Sequence, residues 1–476
     1  MNRGDTLTLT IEDYAFEGKG IARVEQADNP GKKFIVFVEK AYPGDRVEAQ
    51  IYKKKKSFAE AKIINILEAS PERTEAKCSH FGNCGGCRQQ DLKYESQLRY
   101  KHEQVKDIFE RIGGITEFKL EDIAGSDQLY FYRNKLEFSF SDKRWLTPDE
   151  INKDDNIQNK NFALGFHIPR IYDKVLNINE CFLLSDVSND ILNFTRDFFH
   201  SRNATIFSTK THEGYLRNLV IKHSHHTNDL MVNLVTSEDN PELMTEYTED
   251  LNVNVKGITT IVNNISTKKS QVSIGDYEKV YFGDGHIFDE IAGFKYRISA
   301  NSFFQTNTLQ AEKLYQAALK YADFRGDEVV YDLYSGAGTI SIFIAASVKE
   351  VHAFESVESA VNDAIINSES NSVYNVHFHT ADLNKSFSYM VKEMDIPKPD
   401  VVILDPPRGG MNPKTVRDIL RLLPETVVYV SCNPATQARD IKLLCEEHYK
   451  LIKMKPVDMF PHTYHIENVA QLVRKD

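Results

Sequence analysis

The sequence has no long apolar run, no secretory leader and few cysteines for its 476 residues. No stretch approaches the roughly 18 consecutive apolar residues that a membrane-spanning helix needs. The N-terminus, MNRGDTLTLTIEDY, lacks the apolar core of a secretory signal peptide. These absences argue against a membrane-spanning or secreted protein, and we expect a cytoplasmic location.

Two common nucleotide-binding signatures are also missing. The chain contains neither the G-x-G-x-x-G turn that cradles a pyrophosphate nor the G-x-x-x-x-G-K-[ST] loop that binds a triphosphate. Internal repeats and low-complexity tails are absent as well. The length therefore predicts two or three ordinary globular domains.

Positive charge is not in excess, since the net charge is −11. Net charge governs long-range attraction, whereas affinity for phosphates depends on local patches. One such patch is the run 53–56, four consecutive lysines that fit a solvated turn equally well. Composition alone leaves a nucleic-acid partner open.

Residues 1–70 alternate apolar and polar side chains between frequent glycines. This pattern predicts about five short strands in a small closed barrel. The segments GKGIARV (18–24) and YPGDRVEAQI (42–51) resemble the TRAM domain, an OB-like RNA-binding barrel. The resemblance implies an RNA-binding role for this first domain.

Residues 71–290 predict a mixed α+β central domain. A helical stretch at 92–112 is closed by two glycines, and strand-like runs follow at 135–140 and 230–235. The polar, Asn/Asp-rich stretch 147–161 predicts an exposed loop.

Residues 291–476 alternate strands with helices, as a parallel α/β sheet requires. A turn with two glycines, SGAG at 335–338, follows the first strand and lets the backbone approach a ligand. Glu355 ends the second strand, where an acid can bind ribose hydroxyls. The third strand leads into DPPRGG, whose prolines hold Asp405 at the same edge. Each feature is weak alone, because tight turns and proline-rich loops are common.

Cys432 lies at the tip of the fourth strand, in the sequence SCNP. A free cysteine is usually a small buried hydrophobe, but the polar neighbours here favour an exposed, reactive thiol. Cys445 lies in an apolar helical stretch and is expected to be a packing residue. Glu467 precedes the last strand, where it either returns to the active edge or is a surface carboxylate.

Five motifs occur in order: NSFFQTN (301–307), DLYSGAG (332–338), DPPRGG (405–410), SCNP (431–434) and HTYHIENVAQL (462–472). Together they resemble the RNA uridine-5-methyltransferase family, which implies a class I, Rossmann-like methyltransferase domain. Thr339 departs from the pattern, since many members carry Asn there. The implied site comprises a nucleophile, Cys432, a general base, Glu467, and S-adenosylmethionine contacts at Gln305, Tyr334, Gly336, Glu355 and Asp405.

The implied chemistry explains these groups. Carbon 5 of uracil becomes nucleophilic only after a thiolate adds to carbon 6, and a neighbouring dipole or cation can lower the pKa of that thiol. A carboxylate must then remove the carbon 5 proton. Because both faces of the base are engaged, we expect a flipped uridine. Phe303 and Phe304 are each either a stacking partner of this base or a core residue.

The other cysteines form a separate group: Cys78, Cys84 and Cys87 in a C-x5-C-x2-C pattern, with Cys181 as the fourth candidate ligand. Four thiolates suit a tetrahedral zinc or a [4Fe–4S] cluster. The family resemblance implies iron–sulfur. Radical enzymes that combine such clusters with S-adenosylmethionine use three cysteines at C-x3-C-x2-C spacing, which this chain does not have.

Three hypotheses follow. The domain order resembles that of bacterial 23S rRNA uridine-5-methyltransferases, which is the leading interpretation. The second keeps the chemistry and places it on the T-loop uridine of tRNA, whose enzymes typically lack the barrel and the cluster. The third is a redox-sensing RNA-binding protein with an inert methyltransferase fold, which predicts loss of the catalytic groups. No obligate protein partner is evident.

Overall fold

The computed structural model describes residues 1–26, 29–147, 150–151 and 159–475. Most of the predicted polar loop at 147–161 lies outside the described residues. Within the described ranges, no helix is long and apolar enough to cross a membrane.

The N-terminal part is a six-stranded sheet packed around its own small core. Its strands are β1 (Thr6–Thr10), β2 (Asp13–Ala15), β3 (Lys19–Gln26), β4 (Asn29–Glu39), β5 (Arg46–Lys54) and β6 (Phe58–Glu68), in the order β1-β5-β6-β4-β3-β2. Alternation sets the inward face, and in β5 this face consists of Val47, Ala49 and Ile51. The short β2 makes one strand more than the five predicted.

One helix connects the cysteine segment with the C-terminal sheet. It is α1 (Tyr94–Ile108), which continues into a π-helical turn and ends where Gly114 adopts a φ of 65°, close to the predicted 92–112. Val105 and Phe109 pack in the core of the C-terminal part. The strand β7 (Lys119–Leu120) joins the edge of that sheet.

A seven-stranded mixed sheet forms the central part. Two helices, α2 (Asp186–Ser201) and α3 (Pro241–Asn254), share its core. The strands run in the order β10-β9-β8-β11-β12-β13-β14 and are β8 (Lys135–Ser141), β9 (Ala163–Ile168), β10 (Ile171–Asn177), β11 (Leu216–His223), β12 (Leu230–Thr236), β13 (Thr260–Ile265) and β14 (Tyr277–Phe282).

The C-terminal part begins with a hairpin, β15 (His286–Ile291) and β16 (Phe294–Ser299), and continues into an eight-stranded sheet that includes β7. Its other strands are β17 (Val329–Leu333), β18 (Glu350–Glu355), β19 (Val376–Thr380), β20 (Val401–Leu404), β21 (Thr426–Ser431), β22 (Tyr449–Val457) and β23 (Glu467–Arg474). The helices of this part are α4 (Thr308–Ala322), α5 (Thr339–Ile344), α6 (Glu358–Ser370), α7 (Phe387–Glu393), α8 (Pro413–Leu422) and α9 (Pro434–Glu447).

The strand order of this sheet, β19-β18-β17-β20-β21-β23-β22-β7, creates a binding crevice. Five neighbouring strands, β19 to β21 in that order, are parallel. After β17 the chain adds β18 and β19 on one side of it and then β20 and β21 on the other. The loops after β17 and β20 therefore lead to opposite sides. Open α/β sheets bind ligands at this reversal point, beyond the carboxyl ends of the strands.

Candidate active site

The strand ends bring the predicted catalytic and cofactor residues to one edge. Tyr334 directly follows β17, Glu355 ends β18, Asp405 follows β20 and Cys432 follows β21. Glu467 begins β23, which is antiparallel to β21 with Ser431 opposite Asn468, so it starts where Cys432 emerges. A single cavity of about 1160 Å³ is lined by all seven predicted residues, including Gln305 and Gly336.

The glycine turn has the backbone that its sequence predicts. Tyr334, Gly336 and Gly338 all have left-handed φ, at 67°, 55° and 76°. For Tyr334, which has a Cβ, this is a strained conformation of the kind found at functional sites. A Cβ on Gly338 would meet the Phe378 ring at 2.8 Å, whereas one on Gly336 would meet nothing within 4 Å. Gly336 therefore borders open space, as close approach to a ligand requires.

The Glu355 carboxylate is fixed by the backbone around it. One oxygen accepts the Gly336 N–H at 3.1 Å, and the other accepts the N–H groups of Ser356 and Val357 at 2.7 and 2.9 Å. Such contacts hold an acidic side chain ready for ribose hydroxyls. The residues of this half of the cavity thus fit an adenosyl cofactor.

The loop that carries Gln305 is held by the central part of the chain, which sequence reasoning missed. Asn134 donates to the backbone carbonyl oxygen of Gln305 at 2.8 Å. Buried Lys222 donates to the carbonyl oxygens of Ser299 and Ser302 at 2.7 and 3.0 Å, and burial lowers its pKa to about 7. Neither residue belongs to a recognisable motif, so only the folded chain reveals them.

The three residues whose roles were left open or uncertain have distinct places. Thr339 lines the cavity, and its hydroxyl lies 2.9 Å from the Tyr315 hydroxyl. Phe304 is 7% exposed and packs against Tyr296, whereas Phe303 is 67% exposed in the cavity wall. Of these two phenylalanines, Phe303 is thus the one whose ring is free to stack on a base.

The thiol of Cys432 is held in its protonated form. Burial is the main cause of a pKa raised to about 12, and the carboxylates of Glu467 and Asp405 act in the same direction. Arg408 opposes them, but its effect is the smaller one, so burial and the two carboxylates together outweigh the neighbouring cation.

The two carboxyl groups also have raised pKa values. Burial raises the pKa of Asp405 to about 7, with a further contribution from Asp332. Burial likewise raises the pKa of Glu467 well above its usual value, and Asp405 adds to the effect. Pairs of buried carboxyls that repel each other are typical of acid–base sites.

Arg408, to which the sequence assigned no role, joins the loops of the site. Its guanidinium donates to His465 Nδ1 at 3.2 Å, and its carbonyl oxygen accepts the Asn433 side-chain amide at 3.2 Å. Burial lowers the pKa of His465 to about 4, so the ring is neutral and Nδ1 can accept. The motif positions of both residues were the signal that could have identified them.

The four remaining predicted ligands meet at a second cavity of about 220 Å³, lined by Cys78, Cys84, Cys87 and Cys181. Burial raises the pKa of Cys84 and of Cys181 to about 12, and the neighbouring thiols add to it. Among the described residues, no three His, Cys, Asp or Glu side chains are gathered closely enough for one metal ion. A tetrahedral zinc would hold its sulfurs about 3.8 Å apart, given the usual Zn–S bond length. A four-iron cluster binds each thiolate through a different iron and so fits more widely spaced thiols.

Comparisons with known proteins identify the family. The family described as tRNA (Uracil-5-)-methyltransferase matches residues 228–475, and the TRAM domain matches residues 1–64. An uncharacterized RNA methyltransferase of Chlorobaculum tepidum is 43% identical over 100% of this chain and 97% of its own length. One of Bacteroides thetaiotaomicron is 42% identical over 96% of this chain and 99% of its own.

A solved structure is similar over nearly the whole chain. It is Pyrococcus abyssi tRNA (uracil-54, C5)-methyltransferase in complex with S-adenosyl-L-homocysteine, with a TM-score of 0.74, 29% identity, and coverage of 98% of this chain and 100% of that one. The predicted TRAM domain and methyltransferase fold are confirmed. The chain belongs to the tRNA (uracil-5-)-methyltransferase family and is an S-adenosylmethionine-dependent RNA methyltransferase with an N-terminal TRAM domain.

Proposed function

We propose that this enzyme methylates carbon 5 of a uridine in 23S rRNA, with Cys432 as nucleophile and Glu467 as general base. The observation that carries the chemistry is one cavity that contains the Cys432 thiol, two carboxyl groups and the glycine turn. Its volume of about 1160 Å³ exceeds that of most small-molecule pockets and leaves room for a nucleotide beside a cofactor.

Cys432 begins the reaction by adding to carbon 6 of the flipped base. Because its pKa is raised to about 12, the thiol must first lose its proton, and Asp405 is the neighbouring acceptor that leaves Glu467 free for the later step. Arg408 favours the thiolate electrostatically. The addition makes carbon 5 electron-rich, which is the purpose of covalent catalysis here.

S-adenosylmethionine supplies the methyl group that carbon 5 accepts. The chain would hold it through the turn at Tyr334 and Gly336, through Glu355 at the ribose, and through Gln305 and Asp405 beside the reacting atoms. Phe303, exposed in the cavity wall, would stack on the uracil ring and keep it out of the RNA helix.

Glu467 completes the reaction by removing the proton from carbon 5. Its raised pKa makes its carboxylate a stronger base than an exposed glutamate. Once the proton has left, the bond between Cys432 and carbon 6 breaks, the sulfur leaves as a thiolate, and the proton first taken from the thiol can return to it.

The RNA target has two candidates. The order of barrel, cysteine site and catalytic domain supports 23S rRNA through its resemblance to the bacterial rRNA enzymes. The similarity to the Pyrococcus abyssi tRNA enzyme, which covers 98% of this chain, supports the T-loop uridine of tRNA as the target instead. Since that similarity extends across the barrel, the barrel by itself does not favour rRNA.

A deletion strain separates the two candidates. We expect 5-methyluridine to disappear from one or more positions of 23S rRNA while tRNA keeps its full content, measured by nuclease digestion and mass spectrometry of each RNA class. Loss confined to tRNA would transfer the function to the T-loop. A strain that carries Cys432→Ala in place of the deletion should show the same loss.

For the second cavity we propose a [4Fe–4S] cluster bound by Cys78, Cys84, Cys87 and Cys181. The support is the convergence of one buried cysteine, Cys181, and three half-buried ones on one cavity. Protein purified without oxygen should be brown and contain about four irons per chain, as four-thiolate clusters do. Colourless protein with one zinc per chain would contradict the proposal.

A further inference from the structure

The connection between β22 and β23, residues 458–466, is the segment on which Glu467 depends. Glu467 begins β23, so the path of this connection sets where its carboxylate lies. At its centre His462 has a φ of 63°, a left-handed conformation that is unfavourable for a residue with a Cβ. Such a conformation persists only where the surroundings enforce it.

Gln97, on α1, supplies one part of these surroundings. It is fully buried, and its side-chain oxygen accepts the His462 N–H at 2.9 Å while its nitrogen lies 3.2 Å from His462 Nδ1. The same nitrogen donates to the carbonyl oxygens of Gln89 and Leu92 at 2.9 and 2.7 Å. The Gln97 side chain therefore links three parts of the chain: α1, the segment that follows the cysteines, and the connection between β22 and β23.

The cysteine segment supplies the other part. The backbone N–H groups of Arg88 and Gln89, the two residues after Cys87, both donate to the His462 carbonyl oxygen, at 2.8 and 3.0 Å. These residues lie outside any helix or strand, so their position depends on how the cysteine segment is held. His462 is thus bonded at both its N–H and its carbonyl group from outside its own domain.

Further hydrogen bonds and an ion pair fix the backbone of this connection on both sides of His462. Before His462, Asp458 is paired with buried Lys101 at 2.6 Å, and Tyr132 donates to the Pro461 carbonyl oxygen at 3.1 Å. After it, the Thr463 hydroxyl accepts the His465 N–H at 3.2 Å, two residues before Glu467.

We infer that Gln97 is a positioning residue for the general base and that the cysteine segment shares this task, both acting through His462. The inference rests on the proposed function of Glu467. The cysteine site thereby has a part in the second half of the reaction, the release of product, although it lies in a separate cavity.

The chemistry gives this role a specific signature. When Glu467 takes the proton from carbon 5, the electron pair of that C–H bond re-forms the double bond to carbon 6. The bond from carbon 6 to the Cys432 sulfur then breaks, and its electron pair returns to sulfur. A misplaced Glu467 leaves methyl transfer possible but blocks this elimination, so methylated RNA should remain covalently attached to Cys432.

The test compares two glutamines of the same helix. Gln97→Ala removes the bonds to His462, whereas Gln104→Ala removes a buried glutamine that bonds the carbonyl oxygens of Tyr14 and Ala15 in the barrel instead. With ordinary uridine RNA, we expect Gln97→Ala to accumulate a covalent protein–RNA adduct at least tenfold above wild type on denaturing gels. Its affinity for S-adenosylhomocysteine should stay within twofold, and Gln104→Ala should show no adduct increase.

Two further variants keep the inference testable if Gln97→Ala fails to fold. Tyr132→Phe removes only one hydroxyl and should accumulate adduct to a smaller extent. Cys87→Ser should accumulate it too, and hydrogen exchange of residues 460–467 should rise in both. Faster exchange elsewhere without adduct, or equal adduct in Gln97→Ala and Gln104→Ala, would overturn the inference.

Failure of the proposed function would look different. In that case the wild-type protein would form neither 5-methyluridine nor any adduct. If only the positioning role were wrong, wild type would methylate RNA and Gln97→Ala would complete each turnover without trapped RNA.

Discussion

The catalytic cavity and the cysteine cavity share two wall residues, Arg133 and His465, but they are built by different means. Ladder hydrogen bonds of one mixed sheet place the proposed catalytic groups, because Cys432 follows a parallel strand and Glu467 begins an antiparallel one. Cys78, Cys84 and Cys87 lie instead in a segment without helix or strand. The comparison teaches that strand ends place most groups of one cavity, whereas a segment without regular structure supplies three of the four cysteines of the other.

Removing the thiol of the proposed nucleophile should have the largest effect. Cys432→Ala should lower methyl transfer by more than about 1,000-fold, the scale seen when an obligate nucleophile is lost, and should keep its full iron content. The assay is transfer of radiolabelled methyl groups to RNA. Cys445→Ala is the matched control, since Cys445 packs in the core outside both cavities and should retain the wild-type rate. Comparable loss in both variants would refute the separation of roles.

Altering the base should have the next largest effect. Glu467→Gln preserves shape and removes the proton acceptor, so turnover should fall by about 10²–10⁴-fold. Because addition and methyl transfer precede the step it blocks, the variant should retain RNA covalently. Rapid-quench kinetics would show one methyl transferred per enzyme; an unchanged steady-state rate would assign the base elsewhere.

Loss of one cysteine from the second cavity should lower the iron content without lowering the affinity for S-adenosylhomocysteine. If the proposed cluster is present, Cys181→Ser should lose most of its iron, since Cys181 is the one proposed ligand from outside the cysteine segment. Affinity for S-adenosylhomocysteine should remain within about twofold, because the glycine turn belongs to the sheet. Iron analysis and calorimetry measure the two quantities, and a parallel loss of both would show that cofactor binding depends on the cysteine site.

Two adjacent phenylalanines of the first cavity, Phe303 and Phe304, should differ in their effects on RNA binding and on stability. Phe303→Ala should weaken RNA binding by about 1–3 kcal/mol, the range for loss of one base-stacking contact, with little change in stability. Phe304→Ala should instead destabilise the fold by about 3–5 kcal/mol, as for other buried phenylalanines. Filter binding and thermal unfolding distinguish them, and exchanged phenotypes would contradict the assignment.

The smallest effect concerns pH. The pKa of Asp405 is raised by burial to about 7, so its contribution to stability is fully present below its unfolded value and is lost as pH rises through about 7. Asp405→Asn should therefore unfold about 2 °C higher than wild type at pH 8, the shift expected for roughly 1 kcal/mol. At pH 4 the difference should vanish. A variant less stable than wild type at pH 8 would show that the carboxylate is compensated.

Strand periodicity and motif order were sufficient to predict the catalytic sheet. The parallel strands read as apolar runs because both faces are buried, and a ligand edge follows from their shared direction. Tyr334, Glu355, Asp405 and Cys432 reach one cavity for this reason, whereas Gln305 and Glu467 come from a loop and an antiparallel strand; the individual roles stay predictions.

What the sequence could not predict depends on long-range packing. Asn134, Lys222 and Gln97 contact the site through backbone carbonyls or amides of distant segments, which leave no motif. The raised pKa of Cys432 follows from burial beside two carboxylates that are close only in the folded chain.

The covalent role of Cys432 has one direct test, an RNA substrate in which 5-fluorouridine replaces the target uridine. Fluorine on carbon 5 cannot be removed as a proton, so Glu467 cannot complete the reaction and the adduct should persist. We expect mass spectrometry of the digested complex to find one methylated, fluorinated nucleotide attached to Cys432. An adduct on another residue, or methylation of ordinary RNA with no adduct on the fluorinated substrate, would contradict the account.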